Sequence, residues 1–516
     1  MQKPAQYLPL LLAVWSSPGL AQLPCGTPAR IETFAGKPTT TGALPPPDDH
    51  LVDRDPFSSD ANRALSTHFA LKWGTELDLS EELSEQMITM LEDAYTSEVI
   101  DWGMPDPTEI DGTYFNVYLG DTGPEVPSVE GNGGYFTLDD DGYPYIVLNH
   151  EALGHLDYME AIVIHEFFHA VQWSSGAFST SMDQIWYWES TATWAEGRLQ
   201  PDHDFFMYWL PWYAIRPTTA LNHHSSRDYD GEPPDLHQYG SFIVPWFLSE
   251  HMGGDEIVLS SWRDSDASDD PVDALDLALG EQHIEDALAD MAAANLNWDY
   301  DHREVFASHM NEFAETFAHR DTRYTTAIAD DDDWWVHEDS APDCYGYHYV
   351  SLPEDALSRV QAGESLAIAV SPDVPAGLPT TLSFHARLMV ESGEEWTVYT
   401  IDAEEEQTWV DAPESATSLW LAVVNTTPPD ELRDTPAYRF RWVALPEDED
   451  TASPEDTAAP EDTGEPSVDD GLDEDDGPEW SSGERTEKEE GCSCSTARSS
   501  DLVWLAPLLL LVRRRA

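Results

Sequence analysis

The chain has 516 residues and carries 100 Asp and Glu against 24 Lys and Arg, a formal net charge of −76. That length supports two or three domains with real cores. The charge repels phosphate backbones and anionic lipid, which argues against nucleic acid as a partner and fits a soluble, acidic, exported protein.

At the N-terminus Lys3 precedes an apolar run from Tyr7 to Trp15, and Gly19-Leu20-Ala21 offers small residues for cleavage before Gln22. This is the pattern of a secretory signal peptide over residues 1–21, and the run is too short to span a bilayer as a helix. Export into an oxidising space favours cysteine pairing. Cys25 and Cys344 are the only two cysteines in the body of the chain, so a Cys25–Cys344 disulfide is expected. Residues 22–62, with PPPDDHLVDRDPF, read as an extended Pro-rich leader. A helix is expected from about Ser80 to Val99, with Leu83, Met87, Met90, Leu91 and Tyr95 close to helical spacing. TYFNVYLG puts Phe115, Val117 and Leu119 on one face of a strand. GYFTLDDDGYPYIVLNH reads as two strands around Asp139-Asp140-Asp141-Gly142. DDDG lacks the full ligand loop of a calcium site, so it is read as a turn.

HEFFHAVQW, His165 to Trp173, then places two histidines four residues apart. A helix is expected to start at Asp157, with Glu160 completing a capping box. In a helix, residues i and i+4 lie on one face, so His165 and His169 can hold one zinc while Glu166 beside them takes a proton from water. Ser181 with Gln184 is a second capping-box pair and Gly197 a natural stop, so 182–196 reads as the next helix. Glu189, Thr193 and Glu196 share one face of it. A short loop lets this helix fold back on the first, which would bring Glu189 opposite His165 and His169 as the third ligand. Two His and one Glu leave a fourth position for water, as a catalytic zinc requires.

HEFFH followed by WESTATWAE resembles the gluzincin metallopeptidases, the clan of thermolysin and the zinc aminopeptidases. The resemblance runs from about residue 63 to 300 and is concentrated at 159–197. It implies a gluzincin-like catalytic domain with Glu189 as ligand. The second-helix pattern is closer to the aminopeptidase branch, which implies that Glu196 supports a zinc histidine from behind; Thr193 stands where the thermolysin branch has an aspartate and cannot do that work. In the clan a Tyr or His of a later helix donates to the oxyanion. HQYGSFIVPWFLSEHMGG suggests a helix beginning near Gly240 and offers His237 or Tyr239 for that role, with the spacing choosing neither. The aminopeptidase branch also carries an acid in a Gly-rich edge strand; GNGGYFTL has none, though Glu130 directly precedes it, so an endopeptidase is favoured.

Residues 345–446 change character. Leu382, Phe384, Ala386, Leu388 and Val390 alternate onto one face, as do Tyr438, Phe440, Trp442 and Ala444, which suggests a β-sandwich. Residues 447–490 hold 20 acidic and 2 basic residues and read as a disordered spacer. Gly491-Cys492-Ser493-Cys494, the apolar run Leu502 to Val512 and Arg513–Arg515 follow. This order resembles the C-terminal sorting signals of myxobacterial surface proteins. It implies cleavage near Cys492 by a processing enzyme, with Cys492 and Cys494 as the signal, and attachment to the cell surface.

The expectation is therefore an α+β protein: signal peptide 1–21, leader 22–62, catalytic domain 63–335 built of a mixed sheet, a zinc-binding helix pair and further helices, β-sandwich 345–446, spacer 447–490 and anchor 491–516. The combination resembles secreted zinc metallopeptidases of myxobacteria. It implies one zinc per chain, a peptide or protein substrate, no nucleic-acid partner and membrane contact only through the C-terminal signal. The alternatives are an aminopeptidase of the same clan and a non-catalytic zinc-bearing adhesion protein.

Overall fold

The computed structural model describes residues 51–446 apart from 109–111, 130–132, 180, 182, 225–235, 318–320, 330–333, 338–340, 374–381, 403–406 and 430–436. The signal peptide, most of the leader, Cys25, Glu130, the spacer and the anchor with Cys492 and Cys494 lie outside the described residues, and with Cys25 so does the expected disulfide. Cys344 is buried.

The chain is α+β. Strands β1 (Asn62–Leu65), β2 (Phe69–Trp73), β3 (Phe115–Gly120), β4 (Gly134–Leu138) and β5 (Pro144–Asn149) form one sheet in the order β1-β2-β3-β5-β4. β2, β3 and β5 are parallel neighbours, whereas β1 and β4 run antiparallel at the edges. Phe115, Val117 and Leu119 do share a face and join the main apolar core, while Tyr118 points the other way into a small cluster with Tyr135, Tyr145 and Val147. Asp139–Gly142 is a turn: Gly142 N–H donates to Asp139 O, Gly142 takes φ +85°, and Arg54 bridges Asp139 and Asp141. The end of the leader is tied to this sheet. Lys72, buried on β2, is 2.7 Å from Asp53 and 2.9 Å from Asp55. A buried ammonium needs such partners.

Helix α1 (Glu81–Tyr95) starts at Ser80, whose hydroxyl accepts from Leu83 N–H, and runs into a π-type turn, Thr96–Asp101. Helix α2 (Leu156–Ser175) lies against α1, β4 and β5 and is buried on nearly all sides. It begins at Leu156, and His155 rather than Asp157 is its cap residue, without a side-chain cap bond; the expected capping box is absent. Helix α3 (Ile185–Leu199) replaces the expected 182–196. The Ser181–Gln184 pair is not a capping box, because the Gln184 amide is used elsewhere: its oxygen accepts from Ser179 and its nitrogen donates to Asp269 O. Gly197 does not end the helix. It sits inside the last turn because a Cβ there would lie 2.7 Å from the Trp246 ring and 2.9 Å from that of Phe206.

Short helices follow: α4 (Leu210–Ala214), α5 (His237–Gly240) and α6 (Ile243–Phe247), then a π-type turn Leu248–Gly253. The single helix expected near Gly240 is thus broken into pieces. Helices α7 (Glu256–Arg263), α8 (Pro271–Leu279), α9 (Ile284–Asn297) and α10 (Arg303–Phe317) complete the helical layer.

The C-terminal part holds β6 (Tyr324–Thr325), β7 (Ala327–Ala329), β8 (Trp335–His337), β9 (Tyr347–Ser351), helix α11 (Glu354–Gln361), then β10 (Glu364–Pro372), β11 (Phe384–Ser392), β12 (Glu395–Ile401), β13 (Thr408–Val410), β14 (Ser418–Asn425) and β15 (Tyr438–Pro446). They form two five-stranded sheets, β13-β10-β15-β8-β7 and β12-β11-β14-β9-β6, so pairing already begins at Tyr324. Phe384, Ala386, Leu388 and Val390 of β11 share one apolar cluster with Leu366, Ile368, Tyr438 and Phe440 of the other sheet. The alternate residues of the second sheet, Met389, Ala422 and Val424, join the main core instead. Arg387 of β11, also on that side, bonds Asp290 and Asp286 of α9 at 2.6 and 2.9 Å. This sheet is a wall with a core on each face.

Gly197→Ala is expected to destabilise the protein. Alanine gains up to ~1 kcal/mol in helix propensity, but overpacking against two aromatic rings costs about 1–3 kcal/mol. Urea unfolding followed by tryptophan fluorescence checks the sign.

Candidate metal centre

Three contacts align α2 with α3: His165 with Glu196, His169 with Glu189, and Gln172 with Trp188. As numbers rise on one helix they fall on the other, so the helices are antiparallel. Their facing side chains are fully or nearly fully buried, His165 being 6% exposed and His169 and Glu189 0%.

His165, His169 and Glu189 each offer a ligand atom within 4.8 Å of the others. The two Nε2 atoms are 3.2 Å apart. Glu189 Oε2 is 3.3 Å from His165 Nε2, and Oε1 is 3.6 Å from His169 Nε2. Neither oxygen of Glu189 has a hydrogen-bond partner. Burial opposes ionisation of this carboxyl; positive charge at His169, with the contacts and charge of His165, outweighs it and lowers the pKa, a charge that a bound cation would supply when both rings are neutral. A dry carboxylate facing two imidazole nitrogens, with no proton donor bonded to it, fits a divalent cation, and the donor set suits zinc.

Behind the ligand atoms, His165 Nδ1 is 2.6 Å from Glu196 Oε1. Burial raises the Glu196 carboxyl, and its contact with His165 works against that. Thr193, one turn earlier, is buried and its hydroxyl has no hydrogen-bond partner. His169 Nδ1 meets Gln172 Oε1 at 2.7 Å. Gln172 is a support that a search for carboxylates around the histidines does not reach; its position one turn after His169 is the signal for it in the sequence.

Beside the centre a cleft opens, lined by Gly133, Tyr158, Ala161, Ile162, His165, Glu166, Glu196, Phe205, Trp209 and Tyr239. Glu166 is 1% exposed. Gly134 makes room for it, since a Cβ there would stand 3.1 Å from Glu166 Cγ and 2.6 Å from Val147 O. Of the two candidates from the later helix, Tyr239 lines the cleft, its ring 6.2 Å from that of His165 and near-parallel to it at 26°. His237 is buried against Tyr213 and His223, with ring separations of 4.9 and 5.7 Å, and does not line the cleft.

Glu98, on the π-type turn after α1, also went unnoticed because it sits in a run of helical polar residues. It is fully buried and neither oxygen is hydrogen-bonded. Burial pushes its pKa well above the usual carboxylate range, and the charge of His165 only partly opposes this.

Residues 110–363 match the model of a family of unknown function (DUF6055). The match covers just under half of the chain and includes both centre-forming helices, the cleft and the first strands of the C-terminal sheets. No curated protein matches the chain significantly. Among the described residues, no helix is long and apolar enough to cross a membrane.

Glu98 sets a pH dependence. Its folded pKa lies above the unfolded value, so both states are protonated at low pH and the penalty is absent there. As pH rises through about 4.5 the unfolded chain ionises first, and stability falls by up to about 1.4 kcal/mol per pH unit until the folded pKa is reached. Glu98→Gln is expected to remove this fall. Unfolding free energies of both proteins between pH 4 and 8 give the comparison, and parallel curves would contradict it.

Proposed function

We propose that the chain is a zinc metallopeptidase of gluzincin type that hydrolyses peptide bonds. The observation that carries the reading is the fully buried Glu189 carboxylate, without a hydrogen bond, facing the Nε2 atoms of His165 and His169, with Glu166 at the adjoining cleft. His165, His169 and Glu189 would hold one zinc. When bound, zinc supplies Lewis acidity and lowers the pKa of a water.

The chain's own residues supply the rest. Glu166 accepts a proton from the attacking water and delivers it to the leaving amine, as a general base that becomes a general acid. Tyr239, on the cleft wall, is the better placed of the two candidates to donate to the oxyanion that forms on the carbonyl. Glu196 holds the His165 ring and raises its basicity. The cleft wall of Tyr158, Ile162, Phe205 and Trp209 offers apolar and aromatic contact to a substrate side chain beside the scissile bond. The two C-terminal sheets, with their shared core, are read as a β-sandwich. The signal peptide and the segment 491–516 would deliver the enzyme to the cell surface. An endopeptidase remains the favoured form.

The test uses the full chain with a mixed peptide library, with and without chelator. His169→Ala should lose the metal by elemental analysis. Glu166→Gln keeps the ligands and should retain zinc while hydrolysis falls ~10²–10⁴-fold. Stoichiometric zinc with no cleavage of any peptide would instead favour the adhesion reading, and stoichiometric zinc in His169→Ala would remove the ligand assignment.

A further inference from the structure

We infer that Gln172 is a positioning residue that sets the protonation pattern of His169, so that the metal centre is arranged for a cation before one arrives. The inference rests on the zinc reading of the same site.

A count of hydrogens fixes the direction of each bond. Gln172 is fully buried. Its Nε2 lies 2.9 Å from the carbonyl oxygen of Trp188 and 2.8 Å from Thr191 Oγ1. A carbonyl oxygen only accepts, so the atom of Gln172 that faces it must be the amide nitrogen. The amide oxygen is then the atom 2.7 Å from His169 Nδ1. That oxygen has no hydrogen to give, so the hydrogen is on Nδ1. In the neutral ring Nε2 is left with a lone pair directed at the centre.

The outer bonds agree with this direction. Thr191 Oγ1 is 2.7 Å from Tyr187 O, a pure acceptor, so the one hydroxyl hydrogen goes there. The hydroxyl oxygen must then accept, and it meets two donors, Gln172 Nε2 and Trp262 Nε1, the latter at 3.2 Å. Reversing the Gln172 amide would set oxygen against oxygen at Trp188, 2.9 Å apart and buried, which is costly. The backbone of α3 thus dictates the amide, the amide dictates the His169 tautomer, and the tautomer leaves a lone pair on the Nε2 that faces Glu189.

Glu196 does the same for His165 with a carboxylate oxygen. Four lone-pair atoms then converge: two Nε2 and both oxygens of Glu189. Such a set repels itself until a cation enters.

Histidine-selective ¹⁵N NMR on the metal-free full chain, at a pH where the ¹⁵N shifts themselves show both rings neutral, reads the tautomer directly. The wild type should show His169 as the Nδ1–H form. In Gln172→Leu, which keeps bulk but removes the acceptor, His169 should shift toward the Nε2–H form. Gln172→Glu keeps an acceptor oxygen and should restore Nδ1–H. By chelator competition Gln172→Leu should bind zinc 10–100-fold more weakly. An Nε2–H His169 in the wild type overturns the inference without any variant, so it stands exposed even if Gln172→Leu fails to fold; an unchanged tautomer in folded Gln172→Leu overturns it too. If the wild type binds no zinc yet the tautomer responds to Gln172, the positioning role is upheld and the zinc reading falls.

Discussion

Burying the Glu189 carboxylate out of water costs several kcal/mol unless positive charge or hydrogen-bond donors compensate. The protein supplies no hydrogen bond to either oxygen. Facing the carboxylate are two imidazole nitrogens on the neighbouring helix, each ring held from behind by an acceptor, Glu196 or Gln172, so that in the zinc reading the compensating charge falls to the cation. Most of the surrounding architecture follows from keeping these groups in register. α2 and α3 must lie antiparallel and close to bring these groups together, and Gly197 lets Trp246 and Phe206 pack directly on the last turn of α3.

The layers outside the helix pair hold that register. On one side α2 rests on the five-stranded sheet, whose Phe69, Phe115 and Phe136 reach into the same core as Phe167 and Phe168. On another side Trp262 both donates to Thr191 and stacks on Tyr187 at 5.4 Å. The C-terminal sheets are coupled to the helical layer rather than hung from it. Tyr349 donates to Ala292 O, Asn295 donates to Tyr347, and Arg387 spans two aspartates of α9. Displacing the wall sheet would leave a buried guanidinium unpaired.

The parts legible in the sequence are those that a local period or spacing encodes. His165, Glu166 and His169 were readable because four residues is one helical turn. The faces of β3 and β11 were readable because a strand alternates. Glu189 was reachable because only one nearby helix carried a glutamate at the right offset. What stayed hidden depends on packing between elements far apart in sequence. Gly197 looks like a helix stop, since glycine often ends helices, and nothing local reveals the rings of Phe206 and Trp246. Asp157 and Glu160 spell a capping box, yet tertiary packing starts the helix at Leu156. His237 and Tyr239 are two residues apart on one short helix, and only the fold turns Tyr239 to the cleft.

The two supports behind the histidines differ in charge, and the difference has an electrostatic reason in the zinc reading. Glu189, Glu196 and Glu166 already bring three carboxylates to a divalent cation. A further carboxylate behind His169, in a pocket where Gln172, Thr191 and Trp188 are all at most 2% exposed, would add negative charge in excess and far from water. The neutral amide of Gln172 avoids that excess while still accepting from Nδ1. Its two amide hydrogens then find Trp188 O and Thr191 Oγ1, so the polar group is satisfied on both sides. A carboxyl in its place could face the Trp188 carbonyl only by carrying a proton on its second oxygen. The same arithmetic sets Glu98 apart. It has neither a cation of its own nor a donor, so burial pushes its pKa well above the usual carboxylate range.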